Sequence, residues 1–343
     1  MFAFEILCKF HLYLSACPLF FWNDGSQDLL SLKNHLLEKA GFLSYTYDMR
    51  FIKKLLSSPY IHQMRPRQYT KNAFIYAPLF FDRQLFNPHS FLITTLGFIT
   101  LCILSSAVYV LNDIVDVDSD RNHPQKKYRP IASGKISIKN AKIFCVCLFI
   151  LAFLMAFLID SKFLMLCILM AVINIAYSFR LKHIPLIDVI TIGILFIIRV
   201  YSGAILIKVK IFSPWLYIVT FMLALYLGFG KRRAELASIE GTQNNVRPVL
   251  DGYTIPFLDQ LISIISTIII MSYALYTFSG PSVPDNNRML LTIPFVVYGI
   301  FRYLYLIQVK HQGGAPEEVL LSDRWLQGTI LLYAVSVIYA IYL

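Results

Sequence analysis

The chain has 343 residues, of which 57% are hydrophobic and only 15% charged, with a formal net charge of +11. A soluble domain carries about 25% charged residues, so the composition excludes an ordinary soluble enzyme and points to an all-α polytopic membrane protein. The cations fall between apolar runs, so they read first as topology signals and imply no nucleic-acid partner.

Residues 1–60 form an N-terminal extension. Residues 2–22 are apolar but interrupted by Glu5, Lys9 and His11. A basic start, a clean apolar core and a small-residue cleavage site are not there together, so an interfacial amphipathic helix fits better than a cleaved signal peptide. Residues 61–343 form the transmembrane domain. Nine runs are apolar enough to span: 70–86, 90–112, 140–159, 162–179, 185–207, 213–229, 255–278, 289–307 and 325–342. The first is interrupted by Pro78. Trp215 and Trp325 stand at predicted helix starts, where interfacial aromatics belong. Cys8, Cys17, Cys102, Cys145, Cys147 and Cys167 form no CxxC pair, so neither a disulfide framework nor a zinc site is implied.

With the segment before the first span inside, most Lys and Arg residues fall on one side. The outside loops hold only Arg83, Lys162, Lys208, Lys210 and Arg288. This asymmetry predicts nine spans, an N-terminal region inside and a C-terminus outside.

At the inner end of the second span, residues 113–120 contain four aspartates. On a continuing helix, Asn112, Asp113, Asp116 and Asp120 share an arc of about 100°, while Asp118 points away. Carboxylates gathered on one face need a counter-charge, and hard oxygens suit Mg²⁺, whose shell substrate phosphates complete. Arg121, Lys126, Lys127 and Arg129 follow at once, as phosphate donors or as plain topology signals. Two more clusters open on the same predicted face. One holds Tyr177, Arg180, Lys182 and Asp188; the other holds Lys231, Arg232, Arg233 and Glu235. Arg199 and Arg302 lie within spans. Arg302 is near enough to its helix end to snorkel. Arg199 is deeper, about 16 Å along the axis from Asp188, too far for direct pairing.

NDxxDxxxD followed by RPIASG at 129–134 resembles the UbiA superfamily of intramembrane prenyltransferases. Within it, RPRQYTKN at 65–72, DRNHPQKKYRPIASG at 120–134, LKH at 181–183, GKRRAEL at 230–236 and GGAPEEVLLSDRWLQ at 313–327 resemble the decaprenyl-phosphate phosphoribosyltransferase branch. The resemblance covers about residues 60–343, with Tyr69 where that branch usually has Trp.

It implies nine transmembrane helices around a central cavity and a Mg²⁺ site at Asp113, Asp116 and Asp120. Substrate contacts would come from Asn112, Arg121, Lys126, Arg129, Lys71, Tyr177, Lys182, Asp188, Lys231, Arg232 and Glu235. The substrates would be phosphoribosyl pyrophosphate and a polyprenyl phosphate in the lipid bilayer. The enzyme would be a multi-pass protein of a prokaryotic plasma membrane with its site facing the cytoplasm, as a monomer or a homo-oligomer. Two other readings stay open. One is an aromatic prenyltransferase with a polyprenyl diphosphate donor, although the second Asp-rich motif usual there is replaced by GKRRAEL. The other is a lipid-binding or transport protein.

Overall fold

A computed structural model describes residues 58–209, 213–239, 248–281, 283–284, 286–310, 319 and 322–342. Residues 1–57 of the N-terminal extension therefore lie outside the described residues. The described chain is all-helical: α1 (Pro59–Met64), a 3₁₀ helix (Pro66–Tyr76), α2 (Ala77–Phe81), α3 (Pro88–Val115), α4 (Val117–Asn122), α5 (Ile138–Ile159) and α6 (Ser161–Phe179) come first. They are followed by α7 (Ile187–Leu206), α8 (Pro214–Ile239), α9 (Ile255–Ser279), α10 (Ile293–Gln308) and α11 (Arg324–Tyr342).

Helix starts obey local chemistry. Asn87 Oδ1 accepts the His89 and Ser90 N–H groups at 3.0 and 3.2 Å, with Pro88 opening α3. Asp160 Oδ1 caps α6 through the Lys162 and Phe163 N–H groups at 2.7 and 3.0 Å. Thr254 caps α9, again with Pro in its first turn. These residues supply acceptors for donors that have no partner inside the helix.

Eight described helices are long and apolar enough to cross a membrane. The predicted first span, 70–86, is not one of them: it is divided between the 3₁₀ helix and the short α2, with Pro78 in the first turn of α2. It still runs beside α3. Tyr69 bonds Ser106, Asn72 bonds Ser105, Tyr76 bonds Thr95 and Gln84 bonds Ser90. As one number rises the other falls, so segment 63–84 lies antiparallel to α3 from Asp113 to Ser90, about 34 Å at 1.5 Å per residue. Such irregular backbone is tolerated at membrane depth only when protein covers it. Gly203 of α7 provides that cover: a Cβ there would meet the Ile75 carbonyl oxygen at 2.0 Å.

One buried cluster joins α7–α10 through Val189, Tyr226, Leu258, Ile262 and Leu306. A second joins the 3₁₀ helix, α3, α6 and α7 through Ile75, Leu101, Phe163, Met170 and Ile198. Helices α5 and α6 expose Ile150, Leu154, Phe157, Met165 and Val172, the faces that lipid would cover. The enclosed helices α3 and α7 carry the polar residues described next.

Candidate active site

Helix α3 ends at Val115 and α4 begins at Val117, with Asp116 between them, rather than continuing as one helix. The break is slight. Asp116 N–H still donates to Asn112 O at 2.9 Å, and Asp120 N–H to Asp116 O at 2.8 Å. The expected carboxylate face therefore survives. Asp113 and Asp120 are buried, whereas the Asp118 side chain is 90% exposed and, among the described residues, meets only Arg121, at 3.3 Å. Arg121 was expected among the phosphate contacts; it stands with Asp118 on the outward side, because both follow the far face of α4.

Each inward aspartate has a cation. Arg65 donates to both Asp113 oxygens at 2.5 and 2.6 Å, and Gln63 Nε2 donates to Oδ2 at 2.7 Å. One Arg129 nitrogen reaches Asp113 at 3.1 Å and Asp120 at 2.5 Å. Lys126 Nζ stands 4.0 Å from Asp120. Asp116 accepts from Asn112 at 3.1 Å and from Lys182 Nζ at 2.9 and 3.0 Å.

The RPIASG run explains how Arg129 is held. Ile131 and Ile136 are buried, Gly134 turns the chain at φ +78°, and the Ile136 N–H donates to Pro130 O at 3.0 Å. Upstream, His123 Nδ1 accepts the Gln125 and Lys126 N–H groups at 3.2 and 3.3 Å. Burial and the Lys126 ammonium lower the His123 pKa, consistent with a neutral acceptor.

The other clusters join this end of the bundle. Lys182 links the α6–α7 turn to Asp116. Asp188 accepts from Arg232 Nε at 2.7 Å and from Tyr253 OH at 2.8 Å, while Arg232 also donates to Glu235 at 2.6 Å. Arg232 is thus occupied by two carboxylates that position it. Tyr177 is half-buried within electrostatic range of it. Arg233 pairs with Asp259 at 2.5 Å, tying α8 to α9. Lys231 is half-buried. Lys71 Nζ donates to Gln68 Oε1 at 2.5 Å, within its own segment. In that segment Arg65 and Gln63, not Lys71, reach the aspartates. In the sequence Arg65 stands out only as the first residue of RPRQYTKN, and Gln63 carries no signal. The deep partner of Arg199 is Asn72, whose Oδ1 accepts from Nε at 2.9 Å. Arg302 pairs with Asp323 at 2.7 Å.

Among the described residues, no three acidic, His or Cys side chains already converge as a metal cage. Two do converge. Asp113 and Asp120 both lie within hydrogen-bond reach of one Arg129 nitrogen, and their hard oxygens fit a small divalent cation.

The profile of the UbiA prenyltransferase family matches residues 73–320. The chain belongs to that family. It is 31% identical over 297 residues to the decaprenyl-phosphate phosphoribosyltransferase of Corynebacterium glutamicum, covering 84% of this chain and 89% of that protein. It is 28% identical over 286 residues to the enzyme of that name from Mycobacterium tuberculosis, covering 81% and 92%. Among solved structures, a UbiA homolog from Archaeoglobus fulgidus bound to GPP and Mg²⁺ superposes with a TM-score of 0.64 at 20% identity, covering 83% of this chain and all of that one. The fold is therefore that of UbiA proteins.

Proposed function

We propose that the chain transfers a 5-phosphoribosyl group from phosphoribosyl pyrophosphate to a polyprenyl phosphate. The observation that carries this reading is the alternation of acid and base at one end of the bundle. Asp113, Asp116 and Asp120 each already face a guanidinium or ammonium group. Identity to enzymes named for this activity, over more than four-fifths of the chain, supports it.

Asp113, Asp116 and Asp120 would hold Mg²⁺, which when bound neutralises charge on the departing pyrophosphate. Arg129, Lys126, Lys182 and Lys231 would donate to phosphate oxygens of the donor. Arg232, fixed by Asp188 and Glu235, keeps that wall rigid. An acceptor phosphate oxygen forms a bond to the ribose anomeric carbon as the carbon–oxygen bond to pyrophosphate breaks. The electron pair leaves with pyrophosphate. The acceptor is already an anion, so its activation needs no strong base. Positioning and preorganised charge supply the acceleration. The GKRRAEL segment favours this donor over an allylic diphosphate, because it replaces an Asp-rich motif and its Lys231 suits the additional 5-phosphate. The active end faces the cytoplasm of a prokaryotic plasma membrane, where a water-soluble donor is available.

The test is direct. Purified protein with labelled phosphoribosyl pyrophosphate, Mg²⁺ and polyprenyl phosphate should yield labelled lipid and free pyrophosphate. Prenylation of an aromatic acceptor from a polyprenyl diphosphate, without labelled lipid, would support the rival reading instead.

A further inference from the structure

Arg199 is set apart from the other buried arginines. Arg232 and Arg233 each pair with carboxylates. Arg199 is 7% exposed, donates from Nε to Asn72, and lies over the Phe196 ring at 5.3 Å. Among the described residues no carboxylate pairs with it, and its terminal nitrogens meet no acceptor. A guanidinium inside a spanning helix is costly unless something anionic meets it.

Its position says where that anion would sit. Asn72 ties Arg199 to the level of Cys102 and Ser105 on α3. Ser105 is about 12 Å along the helix from Asp113, toward the middle of the bundle. Tyr109 lies between these levels, within electrostatic range of Arg199 and with the Arg65 guanidinium 5.2 Å from its ring centre. Arg199 is therefore on the membrane side of the aspartate site, about 12 Å from it along α3.

Resting on the phosphoribosyl-transfer reading, we infer that Arg199 binds the phosphate head of the lipid acceptor on the membrane side of the site. The donor's phosphates occupy Arg129 and Lys182 at the polar end. The acceptor arrives from the bilayer, so its head reaches the anomeric carbon from beneath. Two guanidinium N–H groups match two phosphate oxygens in one plane. The remaining oxygen then points toward the sugar. Asn72 acts as a positioning residue that holds Nε and leaves the terminal nitrogens for the lipid.

Arg199→Gln and Arg199→Lys, in lipid nanodiscs with Mg²⁺, test this. Arg199→Gln should raise KM for polyprenyl phosphate about ten- to a hundredfold, as for loss of a charged hydrogen bond. Donor binding by calorimetry should stay within about twofold, and Arg199→Lys should recover part of the loss. In the wild type, polyprenyl phosphate should raise the melting temperature, whereas polyprenol and inorganic phosphate should not; Arg199→Gln should lose that shift. An unchanged acceptor KM, or equal losses for donor and acceptor with a lowered melting temperature, would mean that Arg199 only clamps the broken segment to α7, and would overturn the proposal. If Arg199→Gln does not fold, a polyprenyl phosphate with a diazirine beside its phosphate decides the matter in the wild type. Labelling of residues 102–109 or 196–203 supports the site, and labelling confined to other segments overturns it. A wild type that forms no labelled lipid defeats the parent reading, while the melting shift still reports on Arg199 separately.

Discussion

Among the four aspartates of residues 113–120, Asp118 differs from the others in a way that makes it the control. Asp113→Asn, Asp116→Asn and Asp120→Asn should each lower Mg²⁺-dependent turnover by about a hundredfold or more, since each removes a charge meant for the metal and donor. Asp118→Asn should stay near wild type, because its side chain is solvated and pairs with the exposed Arg121. Equal damage from Asp118→Asn at equal expression would refute the carboxylate face. Lys231 offers a test on the basic side. Lys231→Ala should weaken donor binding about ten- to a hundredfold by calorimetry and leave acceptor KM near wild type.

At the scale of elements, the broken first segment is the unusual part. A 3₁₀ run of 11 residues is long for that conformation, and its tight fit between α3 and α7 holds it. Gly203→Ala should cost about 1–3 kcal/mol or more by forcing α7 away from Ile75, read as a lower melting temperature. Gly328→Ala is the matched control, since a Cβ there meets nothing within 4 Å. The α10–α11 corner gives a pH prediction. Hydrogen bonding from Arg302 holds the Asp323 carboxyl below its ordinary range, and Asp323 Oδ1 also caps α11 through the Leu326 N–H. A depressed folded pKa means that the contribution is complete above about pH 4 and is lost as pH falls through the lower folded value. Asp323→Asn keeps the cap but removes the charge, so its melting temperature should fall less steeply than wild type below pH 4. Parallel curves for the two proteins would refute the assignment.

At the scale of the whole molecule, the claim is that three connecting segments share one side. Ser133, Ser238 and Asn286 are exposed and suit single-cysteine labelling. Cysteines at Ser133 and Ser238 should react with a membrane-impermeant thiol reagent from the cytoplasm, and one at Asn286 from the opposite side. Reaction of Ser133 and Ser238 positions from opposite sides would separate Arg129 from Arg232 and dissolve the site.

Sequence alone determined the helical membrane class, seven of the spans nearly to their ends and the start of α8, which runs on past the expected residue 229 to Ile239, and the inward set Asp113, Asp116 and Asp120. Those properties are local: apolar length sets a span, and a 3.6-residue period sets a face. It also marked Arg129 and Lys182 as cations at the aspartate end of the bundle, since charged residues at the ends of apolar runs are legible along a chain. Tertiary structure alone decided which cation meets which acid. Arg65 reaches Asp113 across 48 positions, Lys182 reaches Asp116 across 66, and Arg232 reaches Asp188 across 44. No periodicity encodes such pairings, because they depend on how whole helices pack. The same is true of the first segment, whose polar 3₁₀ backbone reads poorly as a span. Only the cover given by α3 and α7 lets it run at membrane depth, since every buried N–H and C=O must find a partner or protein around it.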